Sequence, residues 1–147
     1  KGITMGAVSL GDIVVTPLER IATSGGDVLH GMKREDAGYS GFGEAYFSMI
    51  NFNVVKAWKL HQSMTLNLVV PIGTVLFVFF LPDENIFKEI VIGEDNYQRI
   101  NVPPGIWFGF KGLHESDSLI MNIADIEHNP DEVSRKTIDE FKYKWKI

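Results

Sequence analysis

Short runs of apolar residues, separated by glycine, proline and asparagine, recur along the chain. Most are four to eight residues long, the usual length of a β-strand. They predict strands over residues 12–16, 28–33, 44–51, 54–61, 66–70, 74–81, 87–92, 99–102, 107–113 and 119–123. The two strands that flank Asn51-Phe52-Asn53 are expected to form a hairpin. The pattern as a whole predicts an all-β fold of the sandwich or jelly-roll type.

Two segments depart from simple alternation. The run from Val75 to Leu81 is apolar at every position, which predicts a strand covered on both faces. It is far shorter than the ~20 residues that cross a bilayer, so no membrane partner is expected. Residues 130–141 start with acidic and continue with basic side chains, an order that suits the helix dipole. We therefore expect a short C-terminal helical segment there.

Polar side chains interrupt the strands at regular positions. From Lys59 to Asn67 every second residue is polar, whereas the residues between them are mostly apolar. If the apolar set packs the core, the polar set faces either solvent or the mouth of a barrel. Asn122 interrupts another apolar strand in the same way. A pocket lining and a solvated sheet face both fit these positions.

His61 is the most suggestive single residue in the chain. Histidine titrates near neutral pH and is the most common general base. Lys56 and Lys59 precede it closely, and cations there would hold an anionic group or lower the pKa of the imidazole. An isolated histidine in a strand is also commonly structural, so the pattern alone leaves both roles open.

Composition removes several classes of function. Fourteen Lys and Arg against nineteen Asp and Glu give a net charge of -5, which argues against a nucleic-acid partner. The chain has no cysteine, which excludes disulfides, cysteine zinc sites, iron–sulfur clusters and thiol nucleophiles. The first residues lack a secretory apolar region. We expect one soluble, cytoplasmic domain spanning residues 1–147.

Several segments, in order, carry a family resemblance. They are residues 43–48, 56–61, 64–73, 93–97, 102–110 and 122–132. Together they resemble the cupin superfamily and, within it, the dTDP-4-dehydrorhamnose 3,5-epimerase-like family of surface-polysaccharide pathways. The resemblance implies a cupin-type β-jelly roll, a homodimer and a nucleotide-linked 4-keto-6-deoxysugar as substrate.

The same resemblance implies a set of catalytic residues. His61 falls on the base that removes the acidic proton beside the ketone. Its orienting carboxylate, which the family places near the C-terminus before a tryptophan, matches Asp139 best and Glu140 second. His128 stands where the family has a tyrosine acid. We therefore expect His61, Asp139 and His128 to be catalytic.

The substrate contacts are expected to differ from those of the family. Trp58 replaces a phosphate-binding arginine, so the anionic role falls to Lys56 or Lys59. No counterpart of the family's active-site lysine lies near Pro71, and His30 replaces a glutamate in a segment that contacts the nucleotide. The expected substrate-binding residues are Lys56, Lys59, Asn67, His30 and Asn122.

The resemblance also bears on metal binding. Lys59 and Phe108 stand where metal-binding cupins have histidines, which leaves His61 alone. Because a catalytic metal site normally needs about three protein ligands, the sequence predicts no metal and no other cofactor.

The resulting hypothesis is a metal-free epimerase that acts at C3, or at C3 and C5, through an enolate. Two alternatives stay open. One is a 3,4-ketoisomerase of the same substrate class, which begins with the same enolisation. The other is a non-catalytic cupin that binds a sugar nucleotide, which the replaced tyrosine, lysine and arginine positions favour.

Overall fold

A computed structural model, which describes residues 7–146, consists of two five-stranded antiparallel sheets and a small two-stranded sheet. The strands are β1 (Val14–Pro17), β2 (Arg20–Ile21), β3 (Val28–Leu29), β4 (Glu44–Ile50), β5 (Val55–His61), β6 (Leu66–Ile72), β7 (Thr74–Leu81), β8 (Ile86–Gly93), β9 (Gln98–Val102), β10 (Trp107–Gly112), β11 (Ser118–Ala124) and β12 (Val133–Arg135). The first sheet has the order β1-β9-β6-β11-β4, and the second β12-β5-β10-β7-β8. The prediction of an all-β jelly roll is confirmed.

The apolar strand β7 lies inside the second sheet, between β10 and β8. Val75, Phe77 and Phe79 belong to the core between the two sheets. Val78 and Phe80 point to the outer face, where aromatic residues of the C-terminal segment cover them. The structure therefore confirms that both faces of this strand are covered, and residues 141–145 explain why the outer face is apolar.

The predicted hairpin of residues 44–61 is wrong. β4 pairs with β11 at the edge of the first sheet, whereas β5 pairs with β10 and β12 in the second. The loop between them crosses from one sheet to the other. As a result, Tyr46 and Ser48 approach one cavity from the first sheet, and Lys59 and His61 approach it from the second.

The predicted short C-terminal helical segment is present only as 3-10 turns and not as a continuous helix. Residues 130–141 form two 3-10 turns, Pro130–Glu132 and Ile138–Glu140, with β12 between them. The reason is that backbone groups of this segment bond to β5. Trp58 N–H donates to the Lys136 carbonyl at 2.9 Å, and Lys136 N–H donates to the Trp58 carbonyl at 3.1 Å. None of the helical turns among residues 7–146 approaches the length that a membrane crossing requires.

The N-terminal part forms less strand than predicted, because β3 ends at Leu29. The loop that follows is tied to β9: Arg99 donates to the Gly31 carbonyl at 2.7 Å, and Asn101 donates to the Gly38 carbonyl at 3.1 Å. Side-chain donors thus replace the strand pairing expected for residues 30–33. The expectation about a secretory leader concerns residues 1–6, which lie outside the described residues.

Candidate active site

His61 is buried at the end of β5, with only 4% of its surface exposed. Its Nδ1 is hydrogen bonded to Oε2 of Glu132. The ring of Phe108 stacks on the imidazole, with 6.0 Å between the ring centroids. Because an ionised carboxylate can only accept, the proton of a neutral imidazole is assigned to Nδ1. Nε2 then carries the lone pair that a base needs.

Glu132 is itself held firmly. Its Oε1 accepts hydrogen bonds from the backbone N–H groups of Ser63 and Met64, both at 2.9 Å. The Glu132 carbonyl accepts from Gln62 N–H at 2.8 Å. The 3-10 turn that carries Glu132 starts at Pro130 and is capped by Asn129. The carboxylate therefore fixes the orientation of the imidazole.

The electrostatics of this pair favour a neutral histidine beside an ionised glutamate. Burial lowers the pKa of His61, the hydrogen bond to Glu132 opposes that effect, and nearby Lys59 and His128 lower it further. Burial alone would raise the pKa of Glu132, but hydrogen bonds from His61 and two backbone amides bring it below its usual value. At neutral pH the imidazole is thus free to accept a proton.

The carboxylate bonded to His61 is Glu132, and not the expected Asp139. Asp139 and Glu140 lie exposed in the second 3-10 turn. That turn is anchored elsewhere, since the Ile138 carbonyl accepts a hydrogen bond from Trp58 Nε1 at 3.2 Å. Glu132 is the last residue of segment 122–132, which carried the family resemblance. That position could have identified it as the carboxylate that bonds to His61.

The inner cavity beside His61 has a volume of about 60 Å³. Tyr46 lies on its wall, and the phenol oxygen accepts a hydrogen bond from Asn122 Nδ2 at 2.9 Å. Burial raises the pKa of Tyr46, so the phenol keeps its proton at neutral pH. Asn122 lines the cavity as expected, whereas the sequence reasoning missed Tyr46. Tyr46 could have been identified from its position, because it lies two residues after Glu44 in the first segment that carried the family resemblance.

A larger outer cleft of about 380 Å³ adjoins the inner cavity. The residues that line both are Ser48, Lys59, Phe108 and Phe110. Lys56 also lines the outer cleft, together with two cationic residues of the C-terminal segment, Arg135 and Lys136. The structure thus brings Lys56 and Lys59 to the same opening as His61. Their contact with substrate stays a prediction.

Asn67 is buried, but it does not line the inner cavity beside His61. Its amide donates to the Ile123 carbonyl at 3.0 Å and accepts from Asn101 at 2.8 Å. The alternation that begins at Lys59 does not continue through residues 62–65, which connect the two sheets. Leu66 and Leu68 therefore line the cavity in its place.

The other two predicted histidines are also separate from the inner cavity. His30 lines a different cavity of about 160 Å³, beside Arg99 and Asp36. His128 is exposed, and its backbone N–H donates to Glu44 Oε1 at 3.0 Å. His128 is nevertheless near enough to lower the pKa of His61. The roles proposed for both histidines stay predictions.

Among residues 7–146, no three histidine, aspartate or glutamate side chains converge closely enough to hold a metal ion. The inner cavity offers His61 as a base, a protonated phenol at Tyr46 and an ammonium group at Lys59. This set suits proton transfer beside a carbonyl, in which a base removes a proton and donors stabilise the developing oxyanion.

Comparison with known proteins finds similarity both to a curated protein and to solved structures. No protein-family model matches the chain. The probable low-salt glycan biosynthesis epimerase Agl13 of Haloferax volcanii is 33% identical over 98 residues, which cover 60% of this chain and 62% of that protein. The chain therefore spans less than two thirds of the length of this curated relative.

Solved structures extend the comparison over most of the chain. A dTDP sugar isomerase from Desulfovibrio desulfuricans G20 is 32% identical, with a TM-score of 0.86 over 91% of this chain and 90% of that one. The dTDP-4-dehydrorhamnose 3,5-epimerase of Elizabethkingia anophelis NUHP1 shares the fold, with a TM-score of 0.76 and 16% identity over 97% of this chain and 85% of that one. The fold is that of a cupin-type β-jelly roll. More narrowly, the chain belongs to the dTDP-sugar epimerase and isomerase family that the sequence resemblance predicted.

The substitution Glu132→Gln tests the part played by the carboxylate. It should lower the free energy of unfolding by about 1–3 kcal/mol at about pH 7.5, because the charge facing His61 is lost. The folded-state pKa of Glu132 is lowered, so its contribution is present above the ordinary carboxyl value of 4.5 and is lost as the pH falls through the folded value.

Urea denaturation should therefore give a constant difference between wild type and variant at pH 7 to 8, and a shrinking difference below about pH 4.5. The exposed Glu140→Gln variant is the control, with an expected change within about 0.5 kcal/mol. Equal stability of the Glu132 variant and the wild type at neutral pH would contradict the assigned role.

Proposed function

We propose that this protein epimerises or isomerises a nucleotide-linked 4-keto-6-deoxysugar through an enolate. The observation that carries the proposal is the His61–Glu132 pair, buried beside a cavity with Nε2 of the histidine available as a base. The dTDP sugar isomerase and the glycan biosynthesis epimerase that the chain resembles support the substrate class. We expect the enzyme to act in the cytoplasm.

In the first step, Nε2 of His61 removes the proton from C3 of the sugar. The electron pair of the C–H bond forms the C3–C4 double bond, and the carbonyl electrons move onto the C4 oxygen. The imidazolium that forms is stabilised by Glu132, which is already hydrogen bonded to Nδ1. Lys59, which lines both the inner cavity and the outer cleft, keeps a positive charge near the developing enolate without contacting its oxygen.

In the second step, an acid returns a proton to C3 from the opposite face, which inverts that carbon. Tyr46 suits this role because it comes from the opposite sheet, lines the same cavity and keeps its proton at neutral pH. Its phenol is oriented by Asn122. His128, the acid expected from the sequence, is the second candidate, since it lies near enough to lower the pKa of His61.

A 3,4-ketoisomerase is the alternative, and similarity to a dTDP sugar isomerase favours it. The proton of the C3 hydroxyl would then move to the enolate oxygen at C4. The electron pair left on the C3 oxygen would form the C3 carbonyl, and the electrons of the C3–C4 double bond would accept a proton at C4. A binding protein without activity would retain the ligand but exchange no proton. Product analysis separates the three.

The substitution His61→Asn should abolish exchange of the C3 proton with solvent, by a factor of about 100 or more, because the base is removed. Proton NMR in deuterated water with dTDP-, GDP- and UDP-linked 4-keto-6-deoxysugars measures this exchange. Circular dichroism checks that the variant is folded. The matched control is His114→Asn, which changes a half-buried histidine in the bend after β10 that lines neither cavity.

An inverted C3 in the wild-type product identifies an epimerase, and a 3-keto product identifies a ketoisomerase. Additional loss of the C5 signal identifies 3,5 activity. Full exchange by the His61 variant would refute the proposal, and binding without exchange by the wild type would leave only the binding protein.

The substitution Tyr46→Phe should separate exchange from inversion. His61 still removes the C3 proton and can return a deuteron to the same face, so exchange should persist within about tenfold. Formation of the inverted product should fall by about 100-fold, because the donor on the other face is lost. Chiral analysis of the product beside the NMR exchange rate measures both. An unchanged inversion rate would transfer the acid role to His128, which His128→Gln then tests.

We also propose that the protein is a homodimer. Phe47 and Met49 lie on the outer face of edge strand β4, where 62% and 51% of their surfaces are exposed. The apolar surface continues across the neighbouring strands, because Leu119 of β11 pairs with Met49 on one side and with Ile72 of β6 on the other. Ile72 has 54% of its surface exposed. Contiguous apolar surface on an edge strand usually marks an interface.

Light scattering should therefore give about twice the chain mass of 16.5 kDa. A Phe47→Glu variant should shift the protein toward the monomer, because it places a charge in the proposed interface, whereas Phe52→Glu outside the strand should not. A monomeric wild type at all concentrations would refute the dimer.

A further inference from the structure

Two cations stand directly opposite each other at the entrance to the site. In the antiparallel pairing of β12 with β5, Arg135 faces Lys59. Like charges in directly opposed positions destabilise a sheet unless something lies between them. Within residues 7–146, neither side chain forms an ion pair or a side-chain hydrogen bond. Lys59 is half-buried, so this charge is not fully relieved by water.

The lining of the outer cleft concentrates positive charge in a chain whose net charge is -5. Four of its nine lining residues are cationic and none is acidic. Two of the four are engaged: Lys56 donates to the Met49 carbonyl at 3.1 Å, and the ammonium of Lys136 lies 5.5 Å from the ring centroid of Trp107. Arg135 and Lys59 remain as the pair that is free to bind an anion.

The spacing along β5 connects this pair to the base. Val133 faces His61 in the same pairing, two residues from the Arg135–Lys59 pair. Two residues along a strand span about 7 Å, which is about the reach from a sugar carbon at the base to a phosphate on the anomeric oxygen. The outer cleft and the inner cavity share Lys59, so a ligand can extend from one into the other.

We propose that Arg135, together with Lys59, binds the diphosphate of the nucleotide-linked substrate in the outer cleft. The proposal rests on the proposed function for the identity of the substrate. The segment from Glu132 to Arg135 then performs two tasks. Glu132 orients the base at its start, and Arg135 holds the anion at its end, where a guanidinium can bind phosphate oxygens through two hydrogen bonds.

The test compares Arg135→Gln with Arg34→Gln, which removes the same charge from an exposed loop that lines neither cavity. For the nucleotide sugar that the wild type converts, Arg135→Gln should raise KM at least tenfold and leave kcat within about threefold, because the ground state and transition state carry the same diphosphate. The affinity for the matching nucleoside diphosphate should fall equally, and its dependence on salt should weaken. Arg34→Gln should change none of these.

A readout without substrate separates this role from a structural one. If Arg135 and Lys59 repel each other in the free protein, Arg135→Gln should have a melting temperature equal to or above that of the wild type. Added dTDP, GDP, UDP or inorganic pyrophosphate should stabilise the wild type more than the variant. A variant that melts earlier and binds diphosphate normally would overturn the proposal.

The outcomes also separate this inference from the proposed function. If the wild type converts the substrate and Arg135→Gln has the same KM, the anion site is refuted and the proposed function stands. Binding of a nucleoside diphosphate that requires Arg135, without any proton exchange, refutes the enzyme and supports the anion site. If the wild type binds neither the nucleoside diphosphates nor pyrophosphate, the anion site is refuted.

Discussion

The hydrogen bond between Glu132 and His61 joins two segments that are 71 residues apart, and the site depends on it. Both groups are buried, and a buried charge is costly unless its hydrogen bonds are satisfied. Glu132 meets that requirement with the amides of Ser63 and Met64, which belong to the turn immediately after β5. The end of β5 that carries His61, with the turn that follows it, therefore also binds the carboxylate that orients the imidazole.

This constraint explains the course of the C-terminal segment. The residues that follow Glu132 run along β5 as β12, and this pairing keeps the carboxylate beside the imidazole. Residues beyond β12 then cross the outer face of the second sheet, where Phe141 and Trp145 contact Trp58. Packing on the outer face thus supports a contact on the inner side, and the same strand carries Arg135 into the cleft.

The site is assembled between two sheets rather than along one hairpin. Tyr46 and Asn122 come from the first sheet, and Lys59 and His61 from the second. A base and an acid on facing walls can address opposite faces of a flat enolate, which inversion at carbon requires. The stacked ring of Phe108 covers one side of the imidazole, and burial lowers the pKa of His61.

The sequence by itself predicted most of the strands and the family, and it singled out His61. Alternating apolar runs report local burial, and His61 stood within a recognisable segment. Only the tertiary structure decided the partners of His61: Glu132 rather than Asp139 bonds to it, Tyr46 faces the cavity, and Asn67 does not. The reason is that strand periodicity fixes which side chains share a face within one strand, but not which sheet the strand joins or where a connection changes the alternation. Residues 130–141 carried the charge order of a helix, and pairing with β5 overrode it because a strand edge with free backbone groups was available beside them.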